Sequence, residues 1–249
     1  MVRPQPEQQV LLQQHGIRDF SGVVVDSAMT REQALGDNVV PERERAVHAA
    51  IKPDLRVVPV LYWGLGGNGQ PDNRVHVGQI VVHRLLVTDT VLVFAKMFEL
   101  RFPIHSVIPH SKFGYNDTLA MAANNSSAYR PDSPSEHSRG AAFDINPVQN
   151  PFDLSGYNGT PAQPAGAVYD PSKPGTITKY GAVRLYWSSL GWEWGGNWGD
   201  PAADPSTDFF RVGYFDYQHF QLGARDPDRY AEFNAQLPQC LQDWSCLGS

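Results

Sequence analysis

Two stretches in the first third of the chain carry the residues that are typical of strands. Val57–Trp63 and Gly78–Arg84 are both rich in β-branched or other large apolar residues, and each predicts a strand. Pro59 favours an edge position for the first strand, because proline has no N–H to donate to a neighbour. The glycine-rich segment 64–72 between them predicts a long turn.

Two later stretches repeat their apolar residues at helical spacing. Thr88 fits the N-cap of a helix that runs to about Leu100, in which apolar side chains recur at the period of one helix face. A second helix is predicted from Lys179 to Leu190, and Gly191 follows it as a C-terminal stop.

Strands and helices are therefore intermixed along the chain. Further strands are predicted at Ala142–Asn146 and Tyr214–Leu222, with irregular loops between the regular elements. This pattern predicts an α+β fold, with a small antiparallel sheet and flanking helices. We expect an N-terminal arm at 1–50 that packs in part on the domain, a domain at 51–230 and a C-terminal tail at 231–249.

Charge and composition argue against several classes of protein. The net charge of −6, without a run of lysine or arginine, argues against a nucleic-acid partner. No apolar stretch approaches the roughly 20 residues that span a bilayer, and the first residues lack the apolar core of a secretory signal. Cys240 and Cys246 are close enough in sequence to form a disulfide, which would fit an oxidising compartment, but their spacing leaves the pairing open.

Two segments far apart in the chain carry residue types that bind metals. His137 and Asp144 lie in Ser135–Pro147, and His219 lies in Asp216–Phe220. Two histidines and one carboxylate are a sufficient ligand set for a catalytic zinc ion, which keeps its fourth position for water. The first two can meet if the histidine ends a loop and the aspartate lies on the next strand, with a glycine allowing the bend. In isolation, residues at this spacing are more often unrelated surface groups.

Asp216 is the candidate general base. A carboxylate beside a metal can take a proton from the attacking water molecule. On a regular strand Asp216 and His219 cannot both point into one site, since successive side chains alternate between faces. A bulge or kink near Tyr217 and Gln218 would remove this conflict. The structural alternative is a histidine flanked by aromatic residues in the core of a sheet.

Two more charged residues are candidates for the site. Arg130, seven residues before His137, can stabilise the oxyanion that forms when a peptide carbonyl is attacked, or hold a substrate carboxylate. A lone arginine is otherwise more often part of a surface ion pair. Glu193 lies between Trp192 and Trp194, where desolvation can raise its pKa, and it is a rival for the base. It can equally orient a ligating histidine.

Together these motifs resemble one family. Ser135–Asp144 is similar to the Ser-x-His-x-x-Gly-x-Ala-x-Asp signature of the M15 family of zinc peptidases. That family comprises D-Ala-D-Ala carboxypeptidases and dipeptidases, and the L-alanyl-D-glutamate endopeptidases of cell-wall enzymes and phage lysins. Ala122–Arg130 resembles the segment that presents the family's active-site arginine, and Gly191–Trp198 and Asp216–His219 complete the pattern. The resemblance covers about residues 55–222.

The resemblance implies a specific site and fold. One zinc ion would be held by His137, Asp144 and His219. Asp216 would be the general base, in a place where dipeptidase relatives carry glutamate, and Arg130 would be the substrate-stabilising cation. The implied fold is the small α+β fold shared with the hedgehog signalling domain, with the zinc site in a cleft on the sheet.

Two parts of the chain depart from the family pattern. The tract 197–213 is long and contains Asp200, Asp204 and Asp208, which suits a lid or an extra binding surface. The N-terminal arm and the tail that carries the two cysteines have no counterpart in that pattern.

The function that the resemblance implies is a zinc-dependent peptidase acting on peptidoglycan stem peptides. The sequence does not separate a D-Ala-D-Ala carboxypeptidase from an L-Ala-D-Glu endopeptidase. An extracellular or cell-envelope location, or an origin as a phage lysin, would fit such a substrate. The alternative from a different class is a zinc-containing module of the same fold that binds a cell-wall component or a protein without turnover.

Overall fold

Strands and helices alternate along the protein in the computed structural model, which describes residues 3–132, 134–200, 211–223 and 225–246. The strands of these residues are β1 (Val24–Val25), β2 (Leu55–Leu65), β3 (Pro71–His83), β4 (Pro103–Ile104), β5 (Ser106–Val107), β6 (Asn125–Ser126), β7 (Ala142–Asp144), β8 (Phe152–Leu154), β9 (Thr160–Gln163), β10 (Trp192–Trp194), β11 (Phe215–Asp216) and β12 (His219–Leu222). The α-helices are α1 (Pro6–Gln14), α2 (Arg31–Leu35), α3 (Arg45–Ile51), α4 (Val87–Glu99), α5 (Asp117–Ala122), α6 (Ser155–Asn158), α7 (Ala182–Ser189), α8 (Pro227–Ala235) and α9 (Gln239–Gln242). This mixture of small sheets and helices confirms the α+β class.

A long antiparallel hairpin of β2 and β3 is the centre of the largest sheet. β1 pairs with β3 and β4 pairs with β2, both in parallel. The two predicted strands are confirmed, but they extend further, so the turn between them contains only residues 66–70. Pro59 pairs with Gln79 of β3, whereas β4 reaches only Trp63 and Gly64. The N–H group that Pro59 lacks is therefore tolerated, as it would be on the edge strand of a sheet.

A smaller antiparallel sheet, ordered β10-β12-β7, carries Glu193 on β10, His219 on β12 and Asp144 on β7. The predicted strand Tyr214–Leu222 is divided: β11 pairs with β8 in another sheet, and β12 pairs with β7. Tyr217 and Gln218 form the turn between the two pieces. The kink that the Asp216 and His219 positions required is therefore present.

The two predicted helices form with shifted boundaries. α4 begins at Val87, and its N-cap is Leu86, not Thr88. A short 3-10 helix at Arg84–Leu86 leads directly into α4, so the first turn needs no side-chain cap. α7 begins later than predicted and ends one residue before Leu190. None of the described helices combines the length and the apolar character that a bilayer-spanning helix needs.

Both ends of the described chain pack against the rest. Leu12, Leu35 and Ile51, from the three N-terminal helices, are fully buried. Near the C-terminus, Cys240 and Cys246 form a disulfide. The guanidinium of Arg139 donates to the carbonyl of Leu241. The division into arm, domain and tail stays a prediction.

Gly140→Ala is expected to lower the free energy of unfolding by at least about 1 kcal/mol more than Gly114→Ala. Both glycines follow a four-residue 3-10 helix, at φ of +66° and +62°. Both substitutions therefore carry the roughly 1–2 kcal/mol cost of the left-handed conformation. Only at Gly140 would the new Cβ lie 2.6 Å from the backbone nitrogen of His83, whereas Gly114 faces open space. Urea denaturation measures both losses, and equal losses would contradict the close packing.

Candidate metal centre

Asp144 and His219 are brought together by the pairing of two strands. They are direct cross-strand partners on β7 and β12, and the next pair along is Phe143 with Phe220. Because side chains alternate between the faces of a sheet, the two phenylalanines point the other way. Both contact the indole of Trp187 on α7, with ring centroids 5.0 and 4.5 Å away. One face of this sheet thus builds the core and the other presents the polar pair.

His137 reaches the same place from a short 3-10 helix, Glu136–Arg139. Ser135 caps this helix, since its hydroxyl oxygen accepts the N–H of His137. Gly140 closes the helix in the left-handed conformation and leads into β7. His137 thus precedes a strand that carries Asp144, as the spacing predicted.

The three side chains offer three ligand atoms to one point. His137 Nε2 lies 3.1 Å from His219 Nδ1 and 3.2 Å from Asp144 Oδ2. Asp144 Oδ1 lies 3.2 Å from His219 Nδ1. The side chains are buried, with 1%, 4% and 7% exposure for His137, Asp144 and His219. These residues form the one cluster of metal-binding geometry found among the described residues.

The remaining nitrogen of each ring is committed to an oxygen acceptor. His137 Nδ1 donates to the carbonyl of Ala128 at 2.6 Å, and His219 Nε2 donates to Oε1 of Gln221 at 2.9 Å. Each neutral imidazole has one donor and one lone pair. Both lone pairs, on His137 Nε2 and His219 Nδ1, therefore face each other and the carboxylate.

This arrangement fits a bound cation. Two lone pairs and a carboxylate repel one another unless a positive charge lies between them. Ligand atoms bound at roughly 2.0–2.1 Å to one tetrahedral zinc ion lie about 3.3 Å apart, close to the separations of 3.1 and 3.2 Å found here. The donor set of two nitrogens and one oxygen also suits zinc.

The electrostatics of the cluster keep the carboxylate ionised. Burial opposes ionisation of Asp144, but His137 and Arg130 beside it hold its pKa well below the usual range. Burial lowers the pKa of His137, which favours the neutral ring that a metal requires. Burial would also lower the pKa of His219, but the hydrogen bond and charge of Asp144 raise it. A proton therefore competes with a metal ion for His219 at low pH.

Arg130 lies against the cluster, as the sequence predicted. Its Nη1 donates to Asp144 Oδ2 at 2.7 Å and lies 3.5 Å from Asp117 Oδ1. Its Nε lies 3.6 Å from Asp132, beyond hydrogen-bond distance, and has no hydrogen-bond partner within the described part of the chain. Arg130 thus holds the candidate ligand Asp144 in place and keeps its Nε–H group available for a further acceptor.

The two candidate bases lie in different surroundings. Asp216 lines an open cavity of about 470 Å³ together with Arg130, His137 and His219. Burial raises its pKa to about 7. Glu193 is not among the residues that line this cavity. Its Oε1 accepts the indole N–H of Trp198 at 2.6 Å, and the Trp198 ring lies 5.2 Å from that of His219.

Some residues of the site escaped the sequence analysis. Gln221 fixes the tautomer of His219, and it follows that histidine by two positions on β12. The period of a strand places both side chains on one face, so this partner was recognisable from spacing. Asp117 beside Arg130 had no such signal, because it comes from α5. Of the acids in the tract 197–213, Asp200 pairs with Lys179, whereas Asp204 and Asp208 lie outside the described residues.

Zinc is expected to raise the melting temperature of the wild-type protein by roughly 5–10 °C at a free concentration 100 times Kd. His137→Ala should lose this rise, because it removes a ligand. His83→Ala is the matched control, since His83 is equally buried and packs against Phe233 outside the cluster. It should lower the melting temperature but keep the zinc-dependent rise. Scanning calorimetry with and without zinc measures the melting temperature of each protein. If His137→Ala retained the zinc-dependent rise, His137 would not be a ligand and the proposed set would be ruled out.

Comparison with known protein families gives a match to part of the chain. Residues 130–222 match the model of a protein family described as D-alanyl-D-alanine carboxypeptidase. The matched segment begins at Arg130 and contains all three candidate ligands. No curated protein and no solved structure matches the chain. The match shows that residues 130–222, which carry the ligand geometry described above, are similar to this M15 peptidase family.

Proposed function

We propose that the protein is a zinc-dependent peptidase that hydrolyses peptidoglycan stem peptides, as a D-Ala-D-Ala carboxypeptidase or an L-Ala-D-Glu endopeptidase. The observation that carries the proposal is the meeting of His137 Nε2 and His219 Nδ1, 3.1 Å apart, each of which lies 3.2 Å from one oxygen of the Asp144 carboxylate. They lie beside a cavity that Arg130 and Asp216 also line. The family match supports the class of substrate.

His137, Asp144 and His219 would hold the ion and leave its fourth position open. The chemistry that zinc supplies in such sites is Lewis acidity, which acidifies a water molecule and polarises a carbonyl group. The protein's own contribution starts with orientation. The Ala128 carbonyl and Gln221 fix which nitrogen of each histidine faces the ion.

Asp216 is the proposed general base. A base works best when its pKa lies near the operating pH, and burial raises the pKa of Asp216 to about 7. The nearby charge of a bound cation would draw this pKa down and favour the ionised form. Its Oδ1 has no hydrogen-bond partner among the described residues, so it is available to take the proton of the attacking water. It would then give that proton to the leaving amine.

Arg130 is the proposed stabiliser of the oxyanion that forms at the scissile carbonyl. Its side chain is 12% exposed, and the residue borders the cavity. The ion pair with Asp144 fixes the guanidinium in place, and the Nε–H group has no hydrogen-bond partner in the part of the chain that the structure describes. A fixed donor aimed at developing charge needs no reorganisation during the reaction.

Glu193 is proposed to position the wall of the site instead of acting as the base. Its carboxylate holds the indole of Trp198, which lies against the ring of His219. Holding the Trp198 indole in place restricts the rotation of the His219 ring beside it. This role keeps Glu193 away from the proton transfer.

An extracellular or cell-envelope location is part of the proposal. Peptidoglycan lies outside the cytoplasmic membrane, and the Cys240–Cys246 disulfide suits an oxidising compartment.

Asp216→Asn is expected to lower kcat/KM by about 100-fold or more, because the base is removed. The substitution should leave the zinc-dependent rise in melting temperature in place, since Asp216 is not a ligand. Glu193→Gln is the matched control and should retain more activity than Asp216→Asn. Steady-state kinetics on a synthetic stem peptide measures both. Full turnover by Asp216→Asn with loss in Glu193→Gln would move the base to Glu193.

The proposed activity is tested by digestion of purified peptidoglycan and of a synthetic pentapeptide stem. We expect hydrolysis that a chelator abolishes and zinc restores, because the ligand set requires an ion. Mass spectrometry of the products distinguishes the two specificities: loss of terminal D-alanine indicates a carboxypeptidase, and cleavage after L-alanine indicates an endopeptidase. Absence of any chelator-sensitive product would favour a binding module without turnover.

A further inference from the structure

The cavity beside the metal centre has a polar lining that consists mostly of hydrogen-bond acceptors. Its acidic residues are Asp117, Asp132, Glu136 and Asp216. Arg130 is the one arginine or lysine among the described residues that line it, and it is held by Asp144 and lies close to Asp117. The lining therefore suits a substrate group that donates hydrogen bonds and carries positive charge.

Glu136 presents one open acceptor in this lining. Its Oε1 accepts from Arg139 Nη1 and from the hydroxyl of Tyr230, both at 2.8 Å. Its Oε2 has no hydrogen-bond partner among the described residues and is withdrawn from solvent. The side chain is 12% exposed. A carboxylate oxygen in this position is stabilised by any donor that reaches it.

Gln218 presents a second open acceptor. The residue is 3% exposed, and its Nε2 lies 3.5 Å from the sulfur of Met121. A thioether sulfur only accepts hydrogen bonds, so the amide NH₂ group faces it and the carbonyl oxygen points elsewhere. That oxygen, Oε1, has no hydrogen-bond partner within the described ranges. A buried amide oxygen left in this state costs free energy until a donor satisfies it.

We propose that Glu136 and Gln218 form a recognition subsite for a primary ammonium group of the substrate. An ammonium carries three N–H donors and no acceptor, so it has a donor for each of the two unpartnered oxygens and is attracted by the acidic lining. This inference rests on the proposed peptidase function and specifies its substrate class as peptides with a free amine. The amine is either the N-terminus of the peptide or the side chain of a diamino acid.

Four forms of one lysine-containing pentapeptide stem test the subsite. The first has both amines free, the second and third have only the N-terminal or only the side-chain amine acetylated, and the fourth has both acetylated. Acetylation removes the charge and leaves the backbone intact. We expect blocking of the recognised amine to lower kcat/KM roughly tenfold or more, as for a lost hydrogen bond to a charged group. The singly acetylated forms identify which amine is recognised.

Substitutions connect that preference to the two residues. Glu136→Gln and Gln218→Leu should both bring the ratio of kcat/KM for the free peptide to that for the acetylated peptide closer to one. Gln149→Leu is the control, because Gln149 lines a different cavity, and it should keep the wild-type ratio. The zinc-dependent rise in melting temperature verifies that each variant folds and holds the ion.

Two results would overturn the subsite. One is an equal kcat/KM for the unmodified and the doubly acetylated peptide. The other is an unchanged ratio in both Glu136→Gln and Gln218→Leu. If no peptide is hydrolysed, the proposed function fails, and calorimetric binding of the same peptides to zinc-loaded protein decides the subsite separately. Tighter binding of the free amine would support it, and equal binding or no binding would refute it.

Discussion

The buried carboxylate of Asp144 is the constraint on which the rest of the site depends. Only 4% of its side chain is exposed, and taking an ion out of water costs several kcal/mol unless partners compensate. Arg130 donates to it at 2.7 Å, and a cation bound between it and the ring nitrogens of His137 and His219, which lie 3.2 Å away, would complete the compensation. The side chains of both histidines are buried and that of Arg130 is 12% exposed, so the four groups depend on one another.

Strands β7 and β12 contribute side chains both to the hydrophobic core and to the candidate metal centre. Phe143 and Phe220 pack on Trp187 behind the sheet, while their neighbours Asp144 and His219 face forward. The apolar face fixes the register of the pair, since a shift by one residue would place the polar side chains in the aromatic core and the rings at the metal site. Stability and ligand geometry are thus determined by one strand pairing.

The turn at Tyr217 and Gln218 determines which side chains of this segment border the cavity. It ends β11 and begins β12 in a different sheet, so Asp216 and His219 both border one cavity despite their spacing. Gln218 lines that cavity as well. The break in the strand therefore gathers the candidate base, the amide of the proposed subsite and a candidate metal ligand within four residues. A continuous strand would have sent neighbouring side chains to opposite faces.

The sequence by itself determined the ligand types, their spacing and the elements that carry them. His137 before a glycine, and Asp144 on the strand that follows, were readable because loop and strand preferences are local. Only the tertiary structure decided which atoms meet: the Ala128 carbonyl that sets the His137 tautomer, and the Asp117 beside Arg130. It also decided that His137 and His219, 82 residues apart, face each other. Periodicity describes one element at a time, whereas these contacts join elements that only the packing of the whole chain brings together.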